Sequence, residues 1–255
     1  MKNLRPLLFF VSLLLIVGLA GCGSAQPADS TGPKAIEEKP TATPPPAETA
    51  APQVQGGEAQ AFFAEGFDNP LSGDWEQFQI YDVNSTSDPE KVTVQTEGGK
   101  LAWNFDTKDL AYYLIYKAFS YQDVKLETSF DNRGVNNNAV SLICRYDSKF
   151  GWYEFNITNS GLYNIYAMEV LGGGKYRYNR IANGGSLAIK QGKGINEFAA
   201  TCQGQQLALY INGEKVAAVT DAKYSFGEGQ VGVAVASFNV LPVTINMDSF
   251  KVSEP

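Results

Sequence analysis

Alternating residues between positions 151 and 158 place three kinds of polar chemistry on one side of an extended segment. Trp152, Glu154 and Asn156 point one way, the residues between them are apolar, and Arg145 falls on the polar side of the preceding segment. An indole can stack on a pyranose ring, while carboxylate, amide and guanidinium groups can bond its hydroxyls. The sequence therefore predicts a sugar site, which tyrosines on the next segments extend. Its candidate residues are Arg145, Trp152, Glu154, Asn156, Tyr166, Tyr176 and Tyr178.

A purely structural role is the alternative for these aromatic residues: a loop covers Trp152 and the tyrosines pack on one another.

The composition of the chain excludes several kinds of catalytic site, metal site and partner. The chain of 255 residues has no histidine, which excludes Ser-His-Asp catalysis, Cys-His catalysis and His-ligated zinc. A formal net charge of −7, without any run of Lys and Arg interleaved with aromatic residues, argues against nucleic acid as a partner.

Residues 62–255 must supply the elements that position these side chains, and period-two patterning dominates this region. One predicted hairpin spans 92–105 and turns at Glu97–Lys100. Another spans 207–219 and turns at Asn212-Gly213, which suits a type I′ turn. Many short strands in one unit predict an all-β fold, a two-sheet antiparallel sandwich or jelly roll. Further strands are predicted at 112–117, 124–131, 139–147, 151–158, 161–169, 175–182, 195–203, 229–237 and 242–252.

Five strand and turn motifs lie within the same region. They are Phe67-Asp68-Asn69-Pro70 through Trp75, Leu142–Tyr146, Asn196-Glu197-Phe198 leading to Leu209–Gly213, Gly229–Val233 and Met247–Val252. On these motifs the chain resembles the concanavalin A-like lectin and glucanase superfamily, especially its laminin-G-like and keto-disaccharide hydrolase branches. The resemblance implies a concanavalin A-like jelly roll. Such motifs specify the fold and leave the activity open.

Glucanases of the superfamily that the chain resembles carry acidic residues at i, i+2 and i+4 on one strand, which puts nucleophile and acid on one face. None of the 27 acidic residues here forms such a triple. Asp74 with Glu76 and Asp88 with Glu90 are i, i+2 pairs, but they lie in or beside predicted loops. The sequence therefore favours a non-catalytic module. Hydrolysis remains the alternative, because other folds unite distant carboxylates.

A calcium site is a further expectation, since several members of the superfamily bind this ion near the chain termini. Asp68 and Asn69 in the first loop and Asp248 on the last strand offer oxygen ligands that a sandwich could bring together. Asn and Asp in such loops also bond their own backbone, which is the alternative reading. Calcium is the single cofactor that the sequence suggests.

The first residues predict export. Lys2 and Arg5 precede a run from Leu7 to Leu19 that carries no charge and is too short to span a membrane. The run ends in Leu19-Ala20-Gly21-Cys22, which resembles the bacterial lipobox. We therefore expect residues 1–21 to be a lipoprotein signal peptide and Cys22 to be lipidated.

Residues 22–61 predict a disordered tether. Between 23 and 61 the chain has seven of its twelve prolines and no aromatic residue, so it cannot bury enough apolar area to offset the entropy of ordering. The expected location is extracytoplasmic. The protein would be lipid-anchored to the cell membrane or outer membrane, and the anchor would be its only contact with lipid.

Cys144 and Cys202 fall on the apolar sides of their strands, Cys202 in phase with Phe198 and Ala200. Outside the cytoplasm free thiols are exposed to oxidation, so we expect a disulfide, with two buried thiols as the alternative. A bond between them would close a loop of about 58 residues.

Three classes of function follow. The first is a surface-tethered, non-catalytic, lectin-like module with a glycan or polysaccharide ligand. The second is a glycoside or keto-disaccharide hydrolase. The third is a structural or protein-docking envelope domain with envelope proteins as partners.

Overall fold

A computed structural model of the protein describes residues 59–135 and 137–255. The predicted signal peptide, the predicted lipidation site Cys22 and the tether as far as residue 58 lie outside the described residues. The tether's last residues, Gln60 and Ala61, offer backbone carbonyls that accept hydrogen bonds from Tyr116 and Tyr121. In the described part of the chain, no helix is long and apolar enough to cross a membrane.

The described residues form fifteen β-strands and one short 3-10 helix at Pro89–Lys91. The strands are β1 (Phe63–Glu65), β2 (Trp75–Tyr81), β3 (Val92–Thr96), β4 (Leu101–Phe105), β5 (Leu110–Tyr121), β6 (Val124–Asn132), β7 (Asn138–Asp147), β8 (Gly151–Thr158), β9 (Leu162–Gly172), β10 (Lys175–Gly185), β11 (Gly194–Gln203), β12 (Gln206–Ile211), β13 (Glu214–Thr220), β14 (Gly229–Ser237) and β15 (Val243–Ser253). The sequence patterns missed β1 and β2.

The strands pair antiparallel into two sheets, which confirms the predicted all-β sandwich. Sheet A has eight strands in the order β13-β12-β11-β6-β15-β4-β3, with β1 added against β15. Sheet B has seven strands in the order β10-β9-β8-β7-β14-β5-β2. Both predicted hairpins are present, and Asn212 and Gly213 have positive φ angles of 48° and 82°, as a type I′ turn requires.

The inner faces of the two sheets enclose one core. In β6 the residues from Val124 to Phe130 alternate between buried and half-buried positions, which is the pattern of a strand with one face in a core. The largest fully buried side chains of this core include Trp103, Phe105, Phe130, Tyr153, Phe155, Phe198 and Phe250.

A disulfide crosses this core. Cys144 of β7 in sheet B is bonded to Cys202 of β11 in sheet A, the pair for which the sequence suggested a bond, with 6.7 Å between their Cα atoms. Both cysteines are buried. The bond therefore ties the two sheets together through the middle of the sandwich.

A bulge in β7 changes which side chains face the core. The pairing of β7 with β8 shifts between Cys144 and Asp147, and Arg145 has a positive φ of 54°. The extra residue reverses the alternation beyond it. Tyr146 consequently lies on the outer face of sheet B, whereas strict alternation from Cys144 would place it on the core side.

Buried and half-buried asparagines stabilise one end of the sandwich. Asn138 donates to Asn132 and accepts from Asn159, while Asn212 donates to Asn196 at 2.9 Å and to the carbonyl of Ala188 at 2.7 Å. The side-chain oxygen of Asn196 also accepts a hydrogen bond from the backbone N–H of Lys190. These amides satisfy loop backbone groups that would otherwise be buried without partners.

Candidate functional site

The outer face of sheet B carries a second apolar cluster, separate from the core between the sheets. We call it the outer cluster. Its buried members are Tyr113, Ile115, Ile143, Tyr146, Trp152, Met168 and Ala234. Half-buried side chains from both edges of the sheet pack over it, among them Phe78 from β2 and Tyr176 from β10. A sheet face covered in this way has strands that are buried on both sides, as β7 is.

Trp152 belongs to this cluster and is fully buried, with 0% of its surface exposed. Its ring is surrounded at centroid distances of 5.2 to 6.0 Å by Phe78, Tyr113, Tyr146 and Tyr176. The sequence placed Trp152 on the correct face of β8, but the prediction that this ring is open to stack on a sugar is wrong. Aromatic residues from distant strands cover it.

Beside the outer cluster the same face sinks into a cleft of about 900 Å³. Its floor is low because Ala236 of β14 is flanked across the sheet by Ala111 of β5 and Ala139 of β7. Methyl groups leave space where larger side chains would fill it. The polar and aromatic lining residues include Asp82, Asn84, Asp109, Tyr113, Glu154, Asn156, Thr158, Asn164, Tyr166, Lys175, Tyr176 and Tyr178.

Glu154 lies in the floor of this cleft with 3% of its surface exposed. Its Oε1 atom accepts a hydrogen bond from the hydroxyl of Ser141 at 2.8 Å. Its Oε2 atom accepts from the hydroxyl of Tyr113 at 3.0 Å and from the indole N–H of Trp152 at 3.3 Å. Asn156 in turn donates to the Ser141 hydroxyl at 3.1 Å. The carboxyl group is therefore held in one orientation by donors from three strands.

Burial raises the pKa of Glu154 above its ordinary value, and the hydrogen bonds from Ser141, Trp152 and Tyr113 oppose that shift without cancelling it. Burial also raises the pKa of Tyr113, and the neighbouring Glu154 carboxyl adds to the effect. The Tyr113 hydroxyl therefore keeps its proton across the physiological range, and it is a dependable donor to the carboxyl group.

The three predicted tyrosines surround the same cleft. Tyr178 is 46% exposed, and its hydroxyl lies 3.2 Å from that of Tyr113. Tyr166 packs edge-on against Tyr178 with ring centroids 5.5 Å apart, and Tyr176 is half-buried. With Glu154 and Asn156, five of the seven candidate residues thus line one cleft. The partly exposed aromatic rings of the cleft are the tyrosines of β9 and β10, whereas Trp152 is buried.

Arg145 lies elsewhere. It is buried, and its guanidinium donates to the backbone carbonyls of Gln122, Phe226 and Gly204 at 2.8, 3.0 and 2.7 Å. The bulge turns its side chain away from the cleft face. The prediction that Arg145 shares a surface with Glu154 is therefore wrong, and its visible role is to hold three loops together.

One of the three predicted calcium ligands, Asp248, has other partners. Asp248 accepts from the Lys100 ammonium group at 2.8 Å and from Ser129 at 3.5 Å. Asp68 and Asn69 lie in the first loop, where Asp68 approaches the turn at Gly99. Among the described residues, no group of three or more His, Cys, Asp or Glu side chains could hold a metal ion. Calcium binding by Asp68, Asn69 and Asp248 stays a prediction.

Several cleft residues escaped the sequence analysis. Tyr113 lies in a run of apolar residues that offers no clear alternation, so its face could not be assigned. The loop at Asp82–Asn84 and the alanines of the floor carry no local signal. Only the pairing of β14 between β5 and β7 brings Ala111 and Ala236 side by side.

Comparisons with known proteins give the fold. No family model matches the sequence, and no curated protein matches it. Solved structures do match at low identity. A Bacillus licheniformis beta-glucanase is 13% identical with a TM-score of 0.54, covering 78% of this chain and 100% of its own.

A Bacteroides ovatus GH16 enzyme of a mixed linkage glucan locus, solved with the product G4G4G3G, is also 13% identical, with a TM-score of 0.53 over 75% of this chain and 99% of its own. LamAcat from Zobellia galactanivorans is 10% identical, with a TM-score of 0.52 over 75% of this chain and 96% of its own. These similarities and the two antiparallel sheets identify the described residues as a concanavalin A-like jelly roll, as the sequence predicted.

Proposed function

We propose that this protein is a surface-tethered carbohydrate-binding module whose ligand lies in the cleft on the outer face of sheet B. The observation that carries the proposal is the combination, in one cleft of about 900 Å³, of partly exposed tyrosine rings with a fixed polar floor. Tyr166, Tyr176 and Tyr178 offer ring faces and edges for a pyranose, and Glu154 and Asn156 organise the polar groups beneath them.

This proposal differs from the sequence-based prediction in which aromatic side chains would contact the sugar. The aromatic platform is built from tyrosines on β9 and β10, and Trp152 serves beneath it as a support. One structural neighbour is a beta-glucanase and another was solved with the product G4G4G3G, which agrees with a glycan ligand.

The test is a glycan array probed with the detergent-extracted full chain, followed by titration calorimetry on the best oligosaccharide. We expect binding to at least one oligosaccharide class, and we expect Tyr178→Ala to weaken it about tenfold while leaving the melting temperature nearly unchanged, because this ring is half-exposed. Leu187→Ala is a matched control, since Leu187 is fully exposed and lies outside the cleft. Wild-type affinity in Tyr178→Ala would count against the cleft.

Hydrolysis is the second candidate, favoured by one observation: a buried carboxyl group with a raised pKa in the cleft resembles a general acid. Canonical glycosidases pair that acid with a second carboxyl group, about 5 to 9.5 Å away. At positions i+2 and i+4 from Glu154 the cleft has Asn156 and Thr158. The other acidic lining residues that the structure describes, Asp82 and Asp109, belong to loops at the rim.

The two candidates are separated by incubating the same protein with the oligosaccharides it binds. A binding module leaves them intact. Release of reducing ends that disappears in Glu154→Gln would establish the hydrolase instead.

Tethering by lipid is part of the proposal and rests on the sequence alone. Lys2 and Arg5, the apolar run to Leu19 and the small residues before Cys22 support it. We expect Cys22→Ala to leave an unprocessed or soluble protein in place of a detergent-extractable lipoprotein. Normal processing and unchanged membrane partition of Cys22→Ala would contradict the anchor.

A further inference from the structure

We propose that Glu154 acts through Tyr113 to hold the Tyr178 hydroxyl with its oxygen presented to the cleft as an acceptor, so that the cleft selects neutral sugars that donate hydroxyl hydrogen bonds and rejects acidic sugars. This inference rests on the proposed function. It adds a positioning role for two buried residues and a class of ligand.

The direction of the first hydrogen bond is fixed at Glu154. The indole N–H of Trp152 can only donate, and it lies 3.3 Å from Oε2. The Tyr113 hydroxyl lies 3.0 Å from the same atom. An oxygen that already accepts from an indole is the acceptor for Tyr113 too. The oxygens of an ionised carboxylate have no proton to give, so Oε2 accepts from both groups, and Oε1 accepts from the Ser141 hydroxyl at 2.8 Å.

The direction of the second hydrogen bond follows from the first. A tyrosine hydroxyl has one proton, and Tyr113 gives its proton to Glu154. The contact of 3.2 Å between the hydroxyls of Tyr113 and Tyr178 must therefore be a donation by Tyr178. Tyr178 then has no proton left for a ligand. Its oxygen offers the cleft lone pairs only, and a ligand must donate to it.

The charges around the cleft act in the same sense. Among the described lining residues, Asp82, Asp109 and Glu154 are acidic and Lys175 is the single basic one. Asp82 and Asp109 are exposed at the rim. A uronate or sulfate would bring negative charge beside Asp82 and Asp109, and its acceptor oxygens would meet the Tyr178 oxygen, which is itself an acceptor. A neutral sugar hydroxyl meets neither obstacle.

The first experiment compares ligands by titration calorimetry on the detergent-extracted full chain. The probes are cellotetraose and laminaritetraose as neutral donors, the same sugars with every hydroxyl O-methylated, and tetragalacturonate as the acidic sugar. We expect a neutral tetrasaccharide to bind, its O-methylated form to lose at least tenfold in affinity, and tetragalacturonate to bind weakest. Equal or tighter binding of either of the last two would overturn the inference.

The second experiment is a double-mutant cycle on the neutral tetrasaccharide. Tyr178→Phe should weaken binding about two- to tenfold, the range that one hydrogen bond carries. Tyr113→Phe frees the Tyr178 hydroxyl to rotate and should weaken binding less. The double variant should bind no worse than Tyr178→Phe alone, because both changes act on one hydrogen bond. Fully additive losses would overturn the relay.

Tyr153→Phe is the matched control. Tyr153 also donates to a buried carboxyl group, that of Asp221, but on the other face of β8. The Tyr153→Phe variant should change the melting temperature without changing the affinity for the neutral tetrasaccharide. If Tyr113→Phe does not fold, the O-methylated sugar still decides, because Tyr178→Phe and wild type should bind it equally. Absence of binding to every sugar would overturn the proposed function and this inference together, whereas neutral binding with an unaffected Tyr178→Phe overturns the inference alone.

Discussion

The outer faces of the two sheets differ in what covers them. On sheet A, polar side chains alternate with core residues. The half-exposed Glu127 of β6 pairs there with Lys125 on its own strand and with Lys251 on the neighbouring β15. On sheet B, the outer face is buried under the outer cluster on one side and opened into the cleft on the other. The outer cluster is a second buried region, separate from the core, and its Tyr113 and Tyr176 also line the cleft.

The largest expected effect tests whether the outer cluster supports sheet B. Trp152→Ala removes a fully buried indole and leaves a cavity, so the free energy of unfolding should fall by about 3 to 5 kcal/mol. Lys125→Ala on the outer face of sheet A should cost at most about 1 kcal/mol. Urea denaturation of both variants measures the contrast, and similar losses would remove the distinction between the two faces.

The next effect concerns the bond that joins the sheets. Replacing Cys144 and Cys202 together by alanine should lower the free energy of unfolding by about 2 to 4 kcal/mol, because the unfolded chain loses a loop closure across 58 positions. Mass spectrometry of the unreduced protein should find the two cysteines linked. Complete alkylation of both thiols without reductant would show that the bond is absent.

A smaller effect concerns the pH dependence of the stability that one glutamate on each outer face contributes. Glu154 and Glu127 are glutamates on opposite outer faces, and their pKa values shift in opposite directions. Burial raises the pKa of Glu154. Burial also acts to raise the pKa of Glu127, but the hydrogen bonds and charges of Lys125 and Lys251 outweigh it and lower the pKa.

The signs follow from proton linkage. The folded protein holds the Glu154 proton more tightly than the unfolded chain, so the stability of wild type relative to Glu154→Gln should decline as the pH rises from 4.5 through the raised folded pKa. Glu127 gives the opposite trend: its contribution is present above 4.5 and is lost as the pH falls through the lowered folded pKa. Denaturation of wild type, Glu154→Gln and Glu127→Gln at pH values on both sides of 4.5 measures how each glutamate's contribution to the free energy of unfolding changes with pH. Slopes of the same sign would contradict the assignment.

The smallest effect belongs to the surface of sheet A. Lys100→Ala removes the contact of 2.8 Å with Asp248, in which both side chains are partly exposed. Such exposed pairs contribute little to stability and are screened by salt. Thermal denaturation at low and high salt should show a small loss that disappears in salt. A loss that persists in salt would indicate that Lys100 also packs against its neighbours.

The two faces also differ in how far the sequence predicts them. The hairpins of sheet A follow period-two patterning and good turn residues such as Asn212-Gly213, so they could be read locally. The outer face of sheet B could be read only in part. Glu154 and Asn156 were assigned to the correct side of β8, but nothing near Trp152 in the sequence shows that Phe78 and Tyr176 cover it.

Arg145 marks a second limit. Strict alternation assigns it to the polar face of β7, and a single extra residue in the strand invalidates that assignment. The positive φ of 54° at an arginine has no signal in the sequence, because arginine is not a residue type that favours it. The carbonyls that hold Arg145 come from three loops that only the complete fold brings together.

The asparagines at one end of the sandwich bear on the chemical ageing of this protein. Asn212 precedes a glycine, and hydrolysis of its side-chain amide would create an aspartate at that position. The amide nitrogen now donates to the oxygens of Ala188 and Asn196, and a carboxylate there would face two acceptors with nothing to give them. Deamidation of Asn212 would therefore leave lasting damage at this turn, because the lost hydrogen bonds cannot be remade by the new side chain.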